Sequence, residues 1–231
     1  MSTIVVETNA PTWAIVVETI GHACFFTQSF WWFTIDEFFA AMAMFQMALF
    51  SYLYHLCVLN VAPDPSHVAF FHGLDYTGIF GLTNALFFEL IGLPIQFAAP
   101  LWMLLQTFTI PANWILYSSG YLVFGGVLSY GMIFAVAVLH KKHTDERELP
   151  WIYSLRYWYL LIAGVVLLMG AITFLYLGGN PGDGQYEIIH GGVWHFVAQI
   201  PLAVIMVLIR LSKGKSPWPF FFVLIKKEKK Q

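Results

Sequence analysis

The sequence predicts an all-α protein, a bundle of seven transmembrane helices, and three observations carry that reading. The chain is 59% apolar and only 10% charged, against about 25% charged in soluble domains, so it has too little polar surface to cover itself in water. Its apolar residues gather into stretches close to the length of about 20 residues that crosses a bilayer. All eleven Lys and Arg residues lie from Lys141 onward. Basic residues collect in cytoplasmic loops, so this asymmetry sets an orientation as well as a fold class.

In chain order, the first predicted span runs from Thr12 to Phe33, interrupted by Glu18, His22 and Gln28. No basic n-region precedes it, so it reads as a mature span rather than a cleaved signal. Asp36 and Glu37 mark a short turn, and the second span covers Glu37 to Val58, rich in Phe, Met and Ala. A Pro-containing loop leads to the third span, Val68 to Leu90, which L-I-G-L-P breaks. The fourth, Pro94 to Thr109, is short. The fifth, Trp114 to Leu139, carries several Gly that permit close helix contact in lipid. The charged connection H-K-K-H-T-D-E-R-E-L-P follows, holding His140 and His143 in solvent. The sixth span is Trp151 to Leu177, and a Gly-rich loop precedes the seventh, Tyr186 to Leu211. Residues 1–211 therefore read as one membrane domain, with 212–231 a basic, aromatic tail suited to a headgroup region.

Seven spans place the charged connection and the tail on one side, the cytoplasm, and the N-terminus outside. This orientation brings several costly residues to one depth. His55 lies near the outer end of the second span, Asp75 near the outer end of the third, and His190 and His195 open the seventh. An ionisable residue inside a membrane is by default a functional-site hypothesis with a partner to be named. Here the partners are each other, with Ser51 four residues before His55 and hence on the same helix face. Three imidazoles and a carboxylate suit zinc.

Each residue alone also has a plainer reading. A single His can be a hydrogen-bonded packing residue, Ser51 a small helix-contact residue, and Asp75 the partner of a buried amide. His22 and Cys24 read as packing. His67 and His72 face outer water, with His72 a spare ligand. Glu89 is expected to pair with Asn84 or Gln96. The two Cys, Cys24 and Cys57, both fall in apolar segments and do not form a disulfide framework. At about 100° per residue, the five-residue step leaves His190 and His195 roughly 140° apart on a regular helix. Either Gly191 and Gly192 host a π-bulge, which absorbs one residue, or His190 precedes the helix and folds back.

Three motifs carry a family resemblance. F-S-Y-L-Y-H-L-C, from Phe50, is similar to the second-span signature of the transmembrane protein 8 and myomaker family. L-D-Y-T-G, around Asp75, resembles that family's third-span motif and its adiponectin-receptor version. I-I-H-G-G-V-W-H-F, around His190 and His195, resembles the H-x-x-W-H closing motif shared with the alkaline ceramidases. These families belong to the CREST superfamily of seven-span, metal-dependent hydrolases. The resemblance implies a zinc site from His55, His190 and His195, with Asp75 ligating the metal or holding its water, and Ser51 either supporting the ligands from behind or helping to stabilise the oxyanion. The extra residue between the closing histidines departs from the pattern and bears most on His190.

The function so implied is zinc-dependent hydrolysis of an amide or ester bond in a membrane lipid such as a ceramide, phospholipid or glycosylphosphatidylinositol lipid. The alternatives are a myomaker-like membrane-remodelling or cell-fusion protein with a structural zinc, or a seven-span receptor. The terminal K-E-K-K-Q resembles a dilysine retrieval signal. The expected location is therefore the plasma membrane or the endoplasmic reticulum and Golgi.

Overall fold

The computed structural model describes residues 11–59, 67–90, 92–116, 187–213 and 215. Those residues are helical and contain no strand. In order they form α1 (Thr12–Thr34), α2 (Phe38–Val58), α3 (Val68–Leu90), α4 (Ile95–Leu116), a π-helical segment (Glu187–Trp194) and α5 (His195–Ser212). The first three follow the predicted spans closely, α4 runs on through Pro111 to Leu116 where a short span ending at Thr109 was expected, and α5 with its π-helical lead corresponds to the predicted seventh. The predicted fifth and sixth spans, with His140 and His143, lie outside the described residues.

The turns are built from local chemistry. After α1, Asp36 takes a left-handed φ of 63°, a conformation that a short polar side chain tolerates better than most. The Asp36 amide donates to the Phe33 carbonyl and the Glu37 amide to that of Trp32. These are the two bonds of a Schellman stop. Glu37 then caps α2, its carbonyl accepting from the Ala41 amide at 2.9 Å. The break after α3 repeats the device. Gly92, at φ 71°, supplies the left-handed residue, Leu93 donates to Phe88, and Pro94 starts α4.

Helices α1, α2, α3 and α5 pack around a shared core, and α4 lies against α3. Small residues permit the contact between α2 and α3. A Cβ added to Gly78 would stand 2.8 Å from the Met47 Cα. The core itself is apolar, including Phe25, Trp32, Met44, Met47, Leu86 and Met206. The Trp102 indole N–H donates to the Gly81 carbonyl at 2.7 Å and ties α4 to α3.

The distribution of polarity on α1 is inverted relative to a soluble helix. Glu18, His22, Gln28 and Ser29 are buried, whereas Trp13, Ile20, Phe30 and Phe33 are exposed. Exposed apolar side chains continue on α2 with Met42 and Phe45, and on α4 with Phe97, Met103 and Phe108. Among the described residues one helix, α2, is both long and apolar enough to cross a membrane. The inward polar residues of α1 and α3 lower the apolarity of those two helices.

Two clusters of buried polar groups occupy opposite ends. At one end, Glu37 receives Arg210 at 3.2 Å, Lys213 at 2.6 Å and Lys215 at 3.2 Å. Arg210 also donates to the Ile35 carbonyl. Glu89 pairs with Lys213, which corrects the expected pairing with Asn84 or Gln96. That expectation considered only nearby residues, and the actual partner comes from the far end of the chain. The other end holds the histidines.

Candidate metal centre

Glu18 and His22 are four residues apart on α1 and share its inward face. His55 enters from the last turn of α2, and His195 from the first residue of α5. These four buried residues offer ligand atoms that all lie within 4.8 Å of one another. The imidazole rings stand 4.2 Å (His22 to His195), 5.2 Å (His22 to His55) and 5.1 Å (His55 to His195) apart.

Each ring presents Nδ1 to an oxygen. His22 Nδ1 lies 2.8 Å from the Glu18 backbone carbonyl, and His195 Nδ1 lies 3.1 Å from that of Gly191. A carbonyl only accepts, so both nitrogens carry the proton, and the neutral His22 ring keeps its lone pair on Nε2. His55 Nδ1 lies 3.3 Å from Glu18 Oε1. The Glu18 carboxylate also stands 3.5 Å from His22 Nδ1 and 3.7 Å from His195 Nδ1. An imidazole held through Nδ1–H by a carbonyl or carboxylate, with Nε2 left for a cation, is the usual way that proteins orient metal-binding histidines.

The residues fit a divalent cation by the chemistry of the donor set. Both Glu18 oxygens and His22 Nε2 are buried without a hydrogen bond, an expensive state for a carboxylate. A cation among them removes that cost. Distance measures the adjustment that binding requires. Two ligand atoms on a tetrahedral zinc with bonds of about 2.0–2.2 Å sit roughly 3.4 Å apart. A set within 4.8 Å is larger than that, the widest pair needing to close by roughly 1.4 Å.

The π-helical segment is what brings the last ligand into place. Its i→i+5 bonding widens the turn and spans His190, Gly191 and Gly192, the π alternative expected from the five-residue spacing. Close approach to α1 needs glycine on both sides. A Cβ on Gly21 would lie 2.0 Å from the Gly191 carbonyl oxygen, and one on Gly191 would lie 2.5 Å from Glu18 Oε1. The Gly191 carbonyl that orients His195 is therefore the atom against which Gly21 packs.

The structure thus joins His55 and His195, as the sequence suggested, to Glu18 and His22. His22, expected to pack, is buried within a group that could hold a metal ion. The signal that could have found the pair is E-x-x-x-H inside an apolar span, two costly groups on one face. Asp75 stands beside the four rather than among them. It is buried, its carboxylate is hydrogen-bonded by Ser51, and it lies within electrostatic reach of His55 and Glu18. Its Oδ1 is buried without a hydrogen bond. His72 sits with its ring 4.6 Å from Tyr54 and 4.7 Å from Tyr76, outside the four. The backbone of His190 belongs to the π segment, and its side chain lies outside the described residues. No protein-family model, curated protein or solved structure matches the chain.

Proposed function

We propose that this chain is a multi-span membrane protein whose buried metal centre hydrolyses an amide or ester bond of a membrane lipid. One observation supports the reading above the others. His22 and His195 are each held through Nδ1 by a backbone carbonyl and His55 Nδ1 stands 3.3 Å from the Glu18 carboxylate, with the Ser51-bonded Asp75 beside them. Three imidazoles leave a fourth position of a tetrahedral ion open, the arrangement of catalytic rather than structural zinc. In this reading Glu18 orients His55 and supplies the negative charge that the site requires.

Zinc bound there would polarise a carbonyl and lower the pKa of water to about 7. The chain's own residues do the rest. Asp75 Oδ1 accepts the proton of the attacking water. Ser51 hydrogen-bonds that carboxylate and holds it in place. The inward polar and outward apolar faces of α1 support a location within helices surrounded by lipid. In this reading, with basic residues in the cytoplasm, the centre belongs to the outer leaflet.

A second reading rests on the count of candidate ligands. If Glu18 binds the metal directly, the four ligands close a tetrahedral site, and the zinc is structural. The protein is then a non-enzymatic membrane-remodelling protein. The two readings part on Glu18→Gln. With an open site the variant keeps bound zinc and loses about 10–100-fold in affinity or activity, as for other orienting partners. With a closed site it loses the metal outright. The direct test is hydrolysis of ceramide, phospholipid and glycosylphosphatidylinositol lipid by zinc-loaded protein and by Asp75→Asn. Turnover that Asp75→Asn abolishes supports the hydrolase. Absence of turnover on all three classes, with zinc bound, leaves the structural reading.

A further inference from the structure

Thr19 follows Glu18 on α1, and Tyr52 follows Ser51 on α2. Their hydroxyl oxygens stand 3.1 Å apart and join the two helices. Thr19 is exposed and Tyr52 partly so. The surface around them is apolar, with Val16 and Ile20 exposed on α1 and Phe45 and Leu49 exposed on α2. The Tyr52 ring stands 5.2 Å from the buried His22 ring, so the pair lies directly outside one of the candidate ligands.

The partners fix where the protons point. A carbonyl only accepts, so Thr19 donates its one proton to the Ile15 carbonyl at 2.7 Å. Tyr52 is then the donor to Thr19. Both hydroxyl protons are committed within the protein, and what the two oxygens still present is acceptor capacity. A Thr–Tyr bond can simply hold two helices together. This one also sets acceptors without matching donors on an apolar surface, one ring away from the metal centre.

We infer that the Thr19–Tyr52 pair is a specificity element that accepts the N–H of a secondary-amide lipid and so selects amides over esters. The inference rests on the lipid-hydrolase reading and narrows its substrate class. In a trans amide the N–H points away from the carbonyl oxygen. A carbonyl directed inward at the centre therefore directs its N–H outward, the side on which the pair lies. An ester has only an oxygen at that position, and it gains no bond from oxygens whose protons are already committed. A site arranged to bond an N–H rejects the analogue that lacks it.

The test uses the full, zinc-loaded chain in nanodiscs and N-butylpalmitamide carrying a diazirine on its butyl group. The competitors are N-butylpalmitamide, its N-methyl counterpart and butyl palmitate, which differ only at the atom beside the carbonyl. Labelling of the peptides that hold Thr19 and Tyr52 should saturate, and the secondary amide should compete about tenfold better than the other two. In Thr19→Val/Tyr52→Phe, which keeps the ring beside His22, the three should compete equally while zinc content is unchanged. A merely structural pair would weaken all three together and leave their ratio as it was. Equal competition in the wild type, a preference that survives the double variant, or labelling that does not saturate overturns the inference. Cleavage of the same lipids is scored separately. An amide that is preferred but never cleaved removes the hydrolase reading and leaves the pair as a lipid contact. Cleavage of amide and ester alike, with equal competition, removes this inference and leaves the hydrolase reading standing.

Discussion

Glu18 is fully buried in a helix whose outer face is Trp13, Ile20 and Phe30, and the three imidazoles around it are what make such a position tolerable. His22 provides the sharpest residue-scale prediction, because a packing histidine and a ligand behave differently when truncated. His22→Ala should abolish stoichiometric zinc, as His55→Ala and His195→Ala should. His72→Ala, whose ring lies against Tyr54 and Tyr76, should leave zinc bound. Elemental analysis of the purified variants reads both outcomes. Glu18 and His22 were harder to identify from sequence than His55 and His195. The latter sit inside longer motifs, whereas an isolated acid and imidazole in an apolar run look like interruptions until the helix is placed against its neighbours.

At the scale of elements, the contact between α1 and the π segment governs the site. Gly21→Ala drives a methyl into the Gly191 carbonyl, 2.0 Å from the new Cβ. Backbone lies on the far side, so the helices must separate. Overpacking of this kind costs about 1–3 kcal/mol or more. The expected result is a lower thermal midpoint together with weakened zinc binding, because the Gly191 carbonyl orients His195. Retention of full zinc affinity by Gly21→Ala would contradict this coupling. The opposite end should behave independently. Glu37→Gln breaks a buried pair with Arg210 at 3.2 Å, for which about 3–5 kcal/mol is usual, and thermal unfolding in detergent should fall while zinc stays bound. Lys213, beyond the end of α5, has its pKa pulled down by burial and raised further by its hydrogen bonds to Glu37 and Glu89, with a net rise above 10.5. A cation with a raised folded pKa contributes stability below its unfolded value and loses it as pH climbs through the folded value. Stability of the wild type should therefore drop above pH 10.5 more steeply than that of Lys213→Met, a difference that pH-dependent denaturation reads. The element boundaries were legible because Pro, Gly92 and the Asp36–Glu37 pair punctuate apolar runs. Glu89's partner was not, since the pairing with Lys213 spans most of the chain.

For the whole molecule, the histidine end and the Glu37 end are separated by about 20–27 Å of helical rise along α1, α2, α3 and α5. That is close to the roughly 30 Å hydrocarbon core of a bilayer, so the two polar ends would lie near its two faces. Cysteines placed at Thr12 and Lys215 should react with impermeant reagents from opposite sides of sealed vesicles, Thr12 from outside. Labelling of both from one side would contradict the proposed topology. The helical class was readable from composition, and the convergence at one end from charge asymmetry and helix order. Which side chains converge depends on the π segment, which the five-residue spacing offered as one of two alternatives, and on how α1 rotates against its neighbours, which only the packed helices show. The central claim is the metal centre, and the measurement that tests it most directly is the zinc content of freshly purified wild-type protein beside His22→Ala, His55→Ala and His195→Ala. Near-stoichiometric zinc in the wild type, lost in all three folded variants, is the predicted result. Folded wild-type protein without bound metal, or full zinc retained in any of the three, would contradict it.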